Sequence, residues 1–275
     1  MAIKIVITGA TGFIGAALSK KLEEKKYSII KVTRSQDSKA GFYQVTSYQQ
    51  SPLGDILIHL GEDSDRSRVN KMGDLYRQTT REVMESLLMK GYKKIVYCSS
   101  SIVYRDQETK PYRENTLTYV GDIYSTAKLE NEERVLSWGG IVVRFSNVIG
   151  DGMSKNNVFS DILKQLSKQT PITVYNIKPI RDFILIDDAV DAIVGLIQKD
   201  ASGLFNIGSG IATSINQLAK TVLSVAKQED REINSTIKNS KYSYNVLNIE
   251  KIKKATNWQP KFTLLQSVEK IINKL

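Results

Sequence analysis

The chain has little of what metal and thiol chemistry require: among 275 residues there is one cysteine, Cys98, and one histidine, His59. A lone cysteine forms no internal disulfide, which agrees with a reducing compartment, and its expected role is that of a small buried side chain. With no second histidine and a single thiol, a zinc site of the usual kind is excluded, and His59, at the end of an apolar run, reads as structural. No apolar stretch approaches the roughly 20 residues that span a bilayer. The first strand also lacks the basic start and small-residue cleavage site of a signal peptide, so a cytoplasmic location is expected. Internal repeats and low-complexity linkers are missing too. The net charge is +10, from 39 basic and 29 acidic residues. The basic residues fall in short groups such as Lys20-Lys21, Lys25-Lys26 and Lys251-Ile252-Lys253-Lys254, without one long basic arm. That pattern argues against nucleic acid and membrane partners, and for a solvated surface around an anionic small-molecule site.

What is present is concentrated at the start. Residues 3–8, Ile-Lys-Ile-Val-Ile-Thr, form a near-continuous β-branched run that reads as a strand buried on both faces of a parallel sheet. Gly9-Ala10-Thr11-Gly12-Phe13-Ile14-Gly15 follows at once, and beyond it Ile14, Leu18 and Leu22 recur at helical spacing among polar neighbours. Strand, glycine turn and helix open a Rossmann unit. Glycine suits a tight turn, a close approach of bare backbone to pyrophosphate, and helix–strand contact, while free amides at the helix start face the anion. The spacing is G-x-x-G-x-x-G rather than G-x-G-x-x-G.

A second strand, Ser28 to Thr33, ends in Thr33-Arg34-Ser35, with Asp37 the nearest acid. A carboxylate at this point suits the ribose diol of NAD, whereas a 2′-phosphate calls for arginine and hydroxyl donors, so NADP is favoured over NAD. A strand over Asp55–Leu60 feeds Gly61, and a helical region is expected from about Arg68 to Met89, ended by Gly91. Ile95-Val96-Tyr97-Cys98 is a further strand leading into Ser99-Ser100-Ser101-Ile102-Val103-Tyr104, hydroxyls at the strand end where open α/β sheets bind ligands. Tyr124-Ser125-Thr126-Ala127-Lys128 lies in a helical segment that continues to about Leu136, so Tyr124 and Lys128 share one face. A lysine ammonium beside a phenol favours the phenolate, and such a tyrosine gives or takes a proton as a carbonyl and an alcohol interconvert.

G-A-T-G-F-I-G, S-S-S-I-V-Y and Y-S-T-A-K, in this order, resemble the extended short-chain dehydrogenase/reductase family of nucleotide-sugar epimerases, dehydratases and reductases. Arg144-Phe145-Ser146-Asn147-Val148-Ile149-Gly150 is similar to the family's R-x-x-N-V-x-G segment and Arg181-Asp182-Phe183-Ile184 to its R-D-F/Y-I segment. Gly203–Gly208 is similar to its return strand, and Asn257-Trp258-Gln259-Pro260 resembles its closing G-W-x-P. The resemblance implies an α/β fold, a Rossmann doubly wound parallel sheet with a smaller C-terminal substrate lobe. The cofactor domain would be residues 1–150 with 181–208 returning to it, and the substrate lobe 151–180 and 209–275. Asp187 and Asp188 are expected to cap the helix from Ala189 to Gln198. Ser214 with Gln217 spells a capping box for a helix reaching about Val225.

By the resemblance, Tyr124 is the proton donor or acceptor, Lys128 binds the nicotinamide ribose, and Ser100 orients the reacting oxygen, ahead of Ser99 and Ser101. Gly9, Thr11, Gly12, Phe13, Ile14, Gly15, Thr33, Arg34, Ser35 and Leu60 are the further cofactor residues. Asn147 contacts the sugar nucleotide, and Arg181 its phosphate. The 4,6-dehydratases of the family carry an Asp-Glu pair where this chain has Ser101 and Ile102, so dehydration is set aside. The expected activity is reduction of a 4-keto-sugar nucleotide with NADPH. The alternatives are a 4-epimerase that retains NAD and, from another class, a non-catalytic NADP-binding regulator. Three departures stand out: Arg105 where the family has glycine, Gly61 for its alanine, and Tyr76 near the place of its usual asparagine. Family members are often dimers through a four-helix interface, which makes a homodimer one expectation.

Overall fold

A computed structural model of the chain describes residues 3–36, 40–106, 109–237 and 242–274. Asp37 lies outside the described residues. The apolar opening run becomes β1 (Lys4–Thr8), in which Ile5, Val6 and Ile7 are sealed from solvent on both faces. The chain turns at Gly9 and enters α1 (Phe13–Glu24), which buries Leu18 and Leu22 against the sheet. β2 (Ser28–Thr33), the short β3 (Tyr43–Gln44) and β4 (Ile56–His59) follow.

The region expected as one helix is two. α2 (Arg66–Met72) and α3 (Asp74–Leu88) are parted at Gly73, whose φ of +63° no right-handed helix can pass through. β5 (Lys94–Ser100) absorbs two of the serines, α4 (Ile123–Ser137) carries the Tyr-x-x-x-Lys pair, and β6 (Ile141–Phe145) is fully buried.

Beyond β6 come β7 (Asn147–Ile149), α5 (Val158–Lys164), β8 (Ile172–Val174), β9 (Ile180–Arg181), β10 (Phe183–Leu185), α6 (Ile186–Gln198) and β11 (Gly203–Ile207). The chain closes with β12 (Thr213–Ser214), α7 (Ile215–Val225), β13 (Ile233–Ser235), β14 (Tyr244–Asn245), α8 (Glu250–Thr256) and α9 (Leu264–Ile272). The main sheet has the order β3-β2-β1-β4-β5-β6-β11, parallel at every pairing. The chain runs outward from β1 to β3 and then back through β4, so the switch point, and with it the ligand crevice of a doubly wound sheet, lies at the carboxyl ends of β1 and β4.

Two of the apolar cores flank this sheet, and another gathers Phe159, Ile162, Ile172, Leu218, Val222 and Ile271 among the later elements. The C-terminal segment is divided between them: Val246, Leu247, Ile252 and Trp258 join the main core, while Val268 and Ile271 of α9 join the later one. Asp182, sealed from solvent, ties the parts together by accepting hydrogen bonds from Ser209 N and Oγ (both 2.7 Å), Gly210 N (3.0 Å) and Leu247 N (3.2 Å). Burial raises its pKa, and those donors oppose the shift.

Ser214 and Gln217 form the expected capping box. Asp187 and Asp188 do not cap, because α6 starts earlier, at Ile186, and places both carboxylates inside its first turn. They favour the helix dipole there, and Asp188 accepts from Phe262 N at 3.1 Å while Asp187 pairs with Lys270.

Candidate active site

The glycine turn is built by exclusion. A Cβ on Gly9, whose φ is +68°, would stand 2.5 Å from the carbonyl oxygen of Leu60, and one on Gly15 would stand 2.1 Å from that of Gly9. The loops after β1 and β4 therefore touch through bare backbone, and α1 starts close against β1. Gly12, exposed at the cap of α1, offers no side-chain cap, so the first amides of the helix, at Phe13 and Ile14, are free for an anion. This is a cradle that a dinucleotide diphosphate fits.

At the end of β2, Thr33 is buried, and its hydroxyl meets Thr11 Oγ1 at 3.0 Å and accepts from Ser35 N at 3.0 Å. It braces the glycine loop from behind. Arg34 and Ser35 are exposed. The Arg34 guanidinium lies 4.7 Å from the centroid of the Tyr48 ring and donates to the Gly61 carbonyl at 3.2 Å. The departure at Gly61 has a cause here: a Cβ would fall 2.2 Å from the Tyr48 ring on which Arg34 rests. His59 is buried, within hydrogen-bond distance of Thr8 Oγ1 (2.8 Å), and burial lowers its pKa to about 4, so it is neutral at working pH. Cys98 is buried and unpaired, and burial pushes its thiol up to about 12.

α4 is launched by Asp122, whose carboxylate caps Ser125 N at 2.8 Å and pairs with Arg66. The first turn carries Tyr124, packed with Val69, Tyr76 and Ala127. Asn70 Oδ1 accepts from Tyr124 N at 3.1 Å, and the phenol hydroxyl has no hydrogen-bond partner among the described residues. One turn on, the Lys128 ammonium sits 5.9 Å from the Tyr124 ring centroid and donates to Cys98 O at 3.0 Å. The same ammonium pairs with Glu62 at 2.8 Å, both side chains being under 10% exposed. Glu62 also accepts from Tyr97 OH (2.8 Å) and Asn131 Nδ2 (2.9 Å). Burial works against the Lys128 charge, but Glu62, Tyr124 and Tyr76 more than offset it and hold its pKa above the ordinary lysine value. Burial likewise opposes the Glu62 charge, and Lys128, His59 and the hydrogen bonds from Lys128 and Tyr97 together outweigh it, so the carboxyl lies below its usual range.

Of the three serines, Ser99 is buried and donates to Glu132, and Ser101 is buried with its carbonyl taken by Asn245. Ser100 accepts from Ile102 N at 3.3 Å and faces a cavity of about 490 Å³. Arg66, Arg105, Tyr119, Asn147 and Arg181 line the same cavity; Tyr124 and Lys128 are not part of its lining, and α4 contacts the Ser101–Val103 turn in its wall. Arg181 donates to Ser243 Oγ at 2.6 Å and to Ile180 O at 2.8 Å; burial lowers its pKa, with Asp106 at 3.6 Å opposing. Asn147 Nδ2 donates to Asp182 O at 3.0 Å.

Four residues of the site were not foreseen. Ser146 Oγ and Asn245 Oδ1 line the cavity, buried and without a partner among the described residues, and Glu62 and Asn131 stand behind Lys128. Only Glu62 left a trace in the sequence, an acid set directly after the apolar run of β4.

A parallel doubly wound sheet with a glycine cradle at its switch point, and a tyrosine–lysine pair on the helix beside it, defines an enzyme of the extended short-chain dehydrogenase/reductase class, which binds NAD(P). The chain belongs to the NAD dependent epimerase/dehydratase family, whose model matches residues 5–208. It is similar to the dTDP-L-rhamnose 4-epimerase of Burkholderia thailandensis, 23% identical with 96% of this chain and 93% of that protein covered. It is also similar to a dTDP-4-dehydro-6-deoxyglucose reductase of Escherichia coli, 24% identical over 98% and 97%. A structure of UDP-glucose 4-epimerase from Thermotoga maritima with UDP-glucose superposes with a TM-score of 0.86 at 20% identity, covering 98% of each chain. Among the described residues no helix is long and apolar enough to cross a membrane.

Proposed function

We propose that the protein is an NADPH-dependent reductase of a 4-keto-sugar nucleotide. The observation that carries this reading is Arg34, held at the mouth of the cofactor crevice by the Tyr48 ring and the Gly61 carbonyl, with Ser35 beside it. A guanidinium fixed there suits a 2′-phosphate better than a bare ribose diol. The similar reductase of Escherichia coli agrees with it. A 4-epimerase that keeps NAD bound is the second reading, favoured by the similarity to the Burkholderia protein. A non-catalytic regulator is disfavoured because Tyr124 and Lys128 are both retained.

NADPH, when bound in the glycine cradle, supplies the hydride. Lys128 would hold the nicotinamide ribose with the N–H left over from Cys98 and Glu62. Ser100 donates to the ketone oxygen from the cavity wall, and Tyr124, whose hydroxyl is otherwise uncommitted, delivers the proton that completes the alcohol. Arg181 binds the diphosphate and Asn147 the sugar nucleotide, with residues 151–180 and 209–275 forming the substrate lobe. We place the enzyme in the cytoplasm, and a homodimer is tested by sedimentation.

The experiment is to denature purified protein, identify any released nucleotide by mass and absorbance, and titrate undenatured protein with NADPH and NADH. An empty site that prefers NADPH supports the reductase, and NADPH oxidation by a 4-keto-sugar nucleotide completes the assignment. Stoichiometric NAD carried through purification, with interconversion of two sugar nucleotides and no net redox change, replaces it with the epimerase.

A further inference from the structure

We propose that Glu62 is a positioning residue which holds Lys128 and cancels its charge, so that Tyr124 is kept as a phenol ready to give up a proton rather than as a phenolate ready to take one. The inference rests on the reading of Tyr124 as the proton donor and adds a direction to it. A tyrosine–lysine pair alone favours the phenolate, the form that suits oxidation of an alcohol. In this chain the pair is a triad. Lys128 Nζ is 2.8 Å from Glu62 and 5.9 Å from the centre of the Tyr124 ring, and Glu62 is fixed by Tyr97 OH and Asn131 Nδ2. With both side chains under 10% exposed, water screens the two charges only in part.

The other titratable groups facing the triad do not take over the role of Glu62. From β4, His59 is neutral, its pKa lowered by burial to about 4. On β5, burial holds Cys98 up at about 12 and Tyr97 above the usual tyrosine range, and on α3 it does the same for Tyr76. Arg34 bears on His59 rather than on Lys128 or Glu62, and its guanidinium is engaged with Tyr48 and Gly61. At the start of α4 Asp122 is paired with Arg66, and before α2 Asp63 is paired with Arg68, so each of these carboxylates has its own counter-charge and Glu62 is the one set against Lys128. Its geometry also restricts Lys128: with Cys98 O and Glu62 as acceptors, one N–H remains for a ribose hydroxyl.

The test is a phenolate absorbance titration of the full chain without sugar or cofactor, taking the Tyr124 contribution as each protein minus its Tyr124→Phe counterpart. Glu62→Gln keeps the shape and removes the charge, and it is expected to move the Tyr124 midpoint to lower pH by about one unit, the size of one charge lost from beside Lys128 in a partly screened site. Glu62→Asp, which keeps the charge, restores the midpoint. Because Glu62→Gln leaves Lys128 buried and unpaired and is liable not to fold, the Glu62→Gln/Lys128→Met double variant serves as well. If the two charges cancel at Tyr124, its midpoint stays within about half a unit of wild type. An unmoved midpoint in Glu62→Gln, or a rise of about a unit or more in the double variant, overturns the proposal. No substrate enters the measurement, so its failure is distinct from failure of the reductase reading.

Discussion

Removing Glu132 tests how α4, which carries Tyr124 and Lys128, is fastened to the sheet. Its carboxylate, on α4, receives Arg144 Nε from β6 at 3.0 and 3.1 Å and Arg144 Nη2 as well, and it also accepts from Ser99 Oγ at the end of β5. The two charged side chains are 3% and 5% exposed, and the guanidinium lies 4.7 Å from the Tyr104 ring centroid. Glu132→Ala leaves a buried guanidinium without its counter-charge and a serine hydroxyl without its acceptor. Loss of one partner of a buried pair costs about 3–5 kcal/mol, and a stranded hydroxyl about 1 more. Against a native stability of roughly 5–15 kcal/mol this is severe, and for a chain of this size it is worth about 10 °C in Tm. Thermal melting and urea denaturation followed by circular dichroism read the change. The Glu132→Met/Arg144→Met double variant, which removes both charges while keeping volume, is expected to melt above Glu132→Ala, because the cost lies in the uncompensated charge rather than in losing the pair. The reasoning fails if Glu132→Ala melts within about 2 °C of wild type, a change worth no more than about 1 kcal/mol, or if the double variant melts lowest.

Three further outcomes follow from the geometry. Tyr124→Phe is expected to bind NADPH as wild type does and to lose turnover by a factor of about 100 or more, read by fluorescence titration beside steady-state rates; unchanged turnover removes the proton donor. Arg34→Ala is expected to weaken NADPH by about tenfold while leaving NADH within about twofold, since only the 2′-phosphate loses a partner; equal losses for both cofactors count against that role. His59 binds no proton when folded until the pH approaches about 4, whereas unfolded it does so near 6.5. The unfolded chain therefore holds more protons between those values, and stability present above pH 6.5 is lost as the pH falls toward 4, by about 3 kcal/mol. In His59→Gln the drop in Tm over that interval is expected to shrink, and an unaltered drop assigns it to other groups.

Much of the fold was legible because its signals are local. The β-branched run of β1, the glycines after it and the Ser214–Gln217 box each specify a conformation within a few residues, and the structure has them at those places. The split at Gly73 was missed because apolar spacing on either side continues the same face, and only the backbone dihedral breaks it. Asp187 and Asp188 were misread as caps because a first-turn acid and a capping acid look alike one residue apart. For the candidate site, the four-residue spacing of Tyr124 and Lys128 is what put them on one helix face, and the structure has both on α4. Glu62 meets Lys128 across 66 positions, and Asn245 reaches the cavity from β14, so neither pattern nor propensity records them.

The strand order also bears on how the protein is made. β6 lies between β5 and β11, and its five residues are all buried, yet β11 begins only at Gly203, some 60 residues after β6. During synthesis, six strands of the sheet stand complete while the ribosome is still adding β7 through α6, and Ile141–Phe145 waits as an apolar edge with an open ladder of hydrogen bonds. Such an edge pairs readily with other chains. The nascent protein is therefore expected to be prone to aggregation over this interval. Fragments ending before Gly203 are expected to aggregate, while those that include Ile207 and the α8 segment packed on it gain a closed edge.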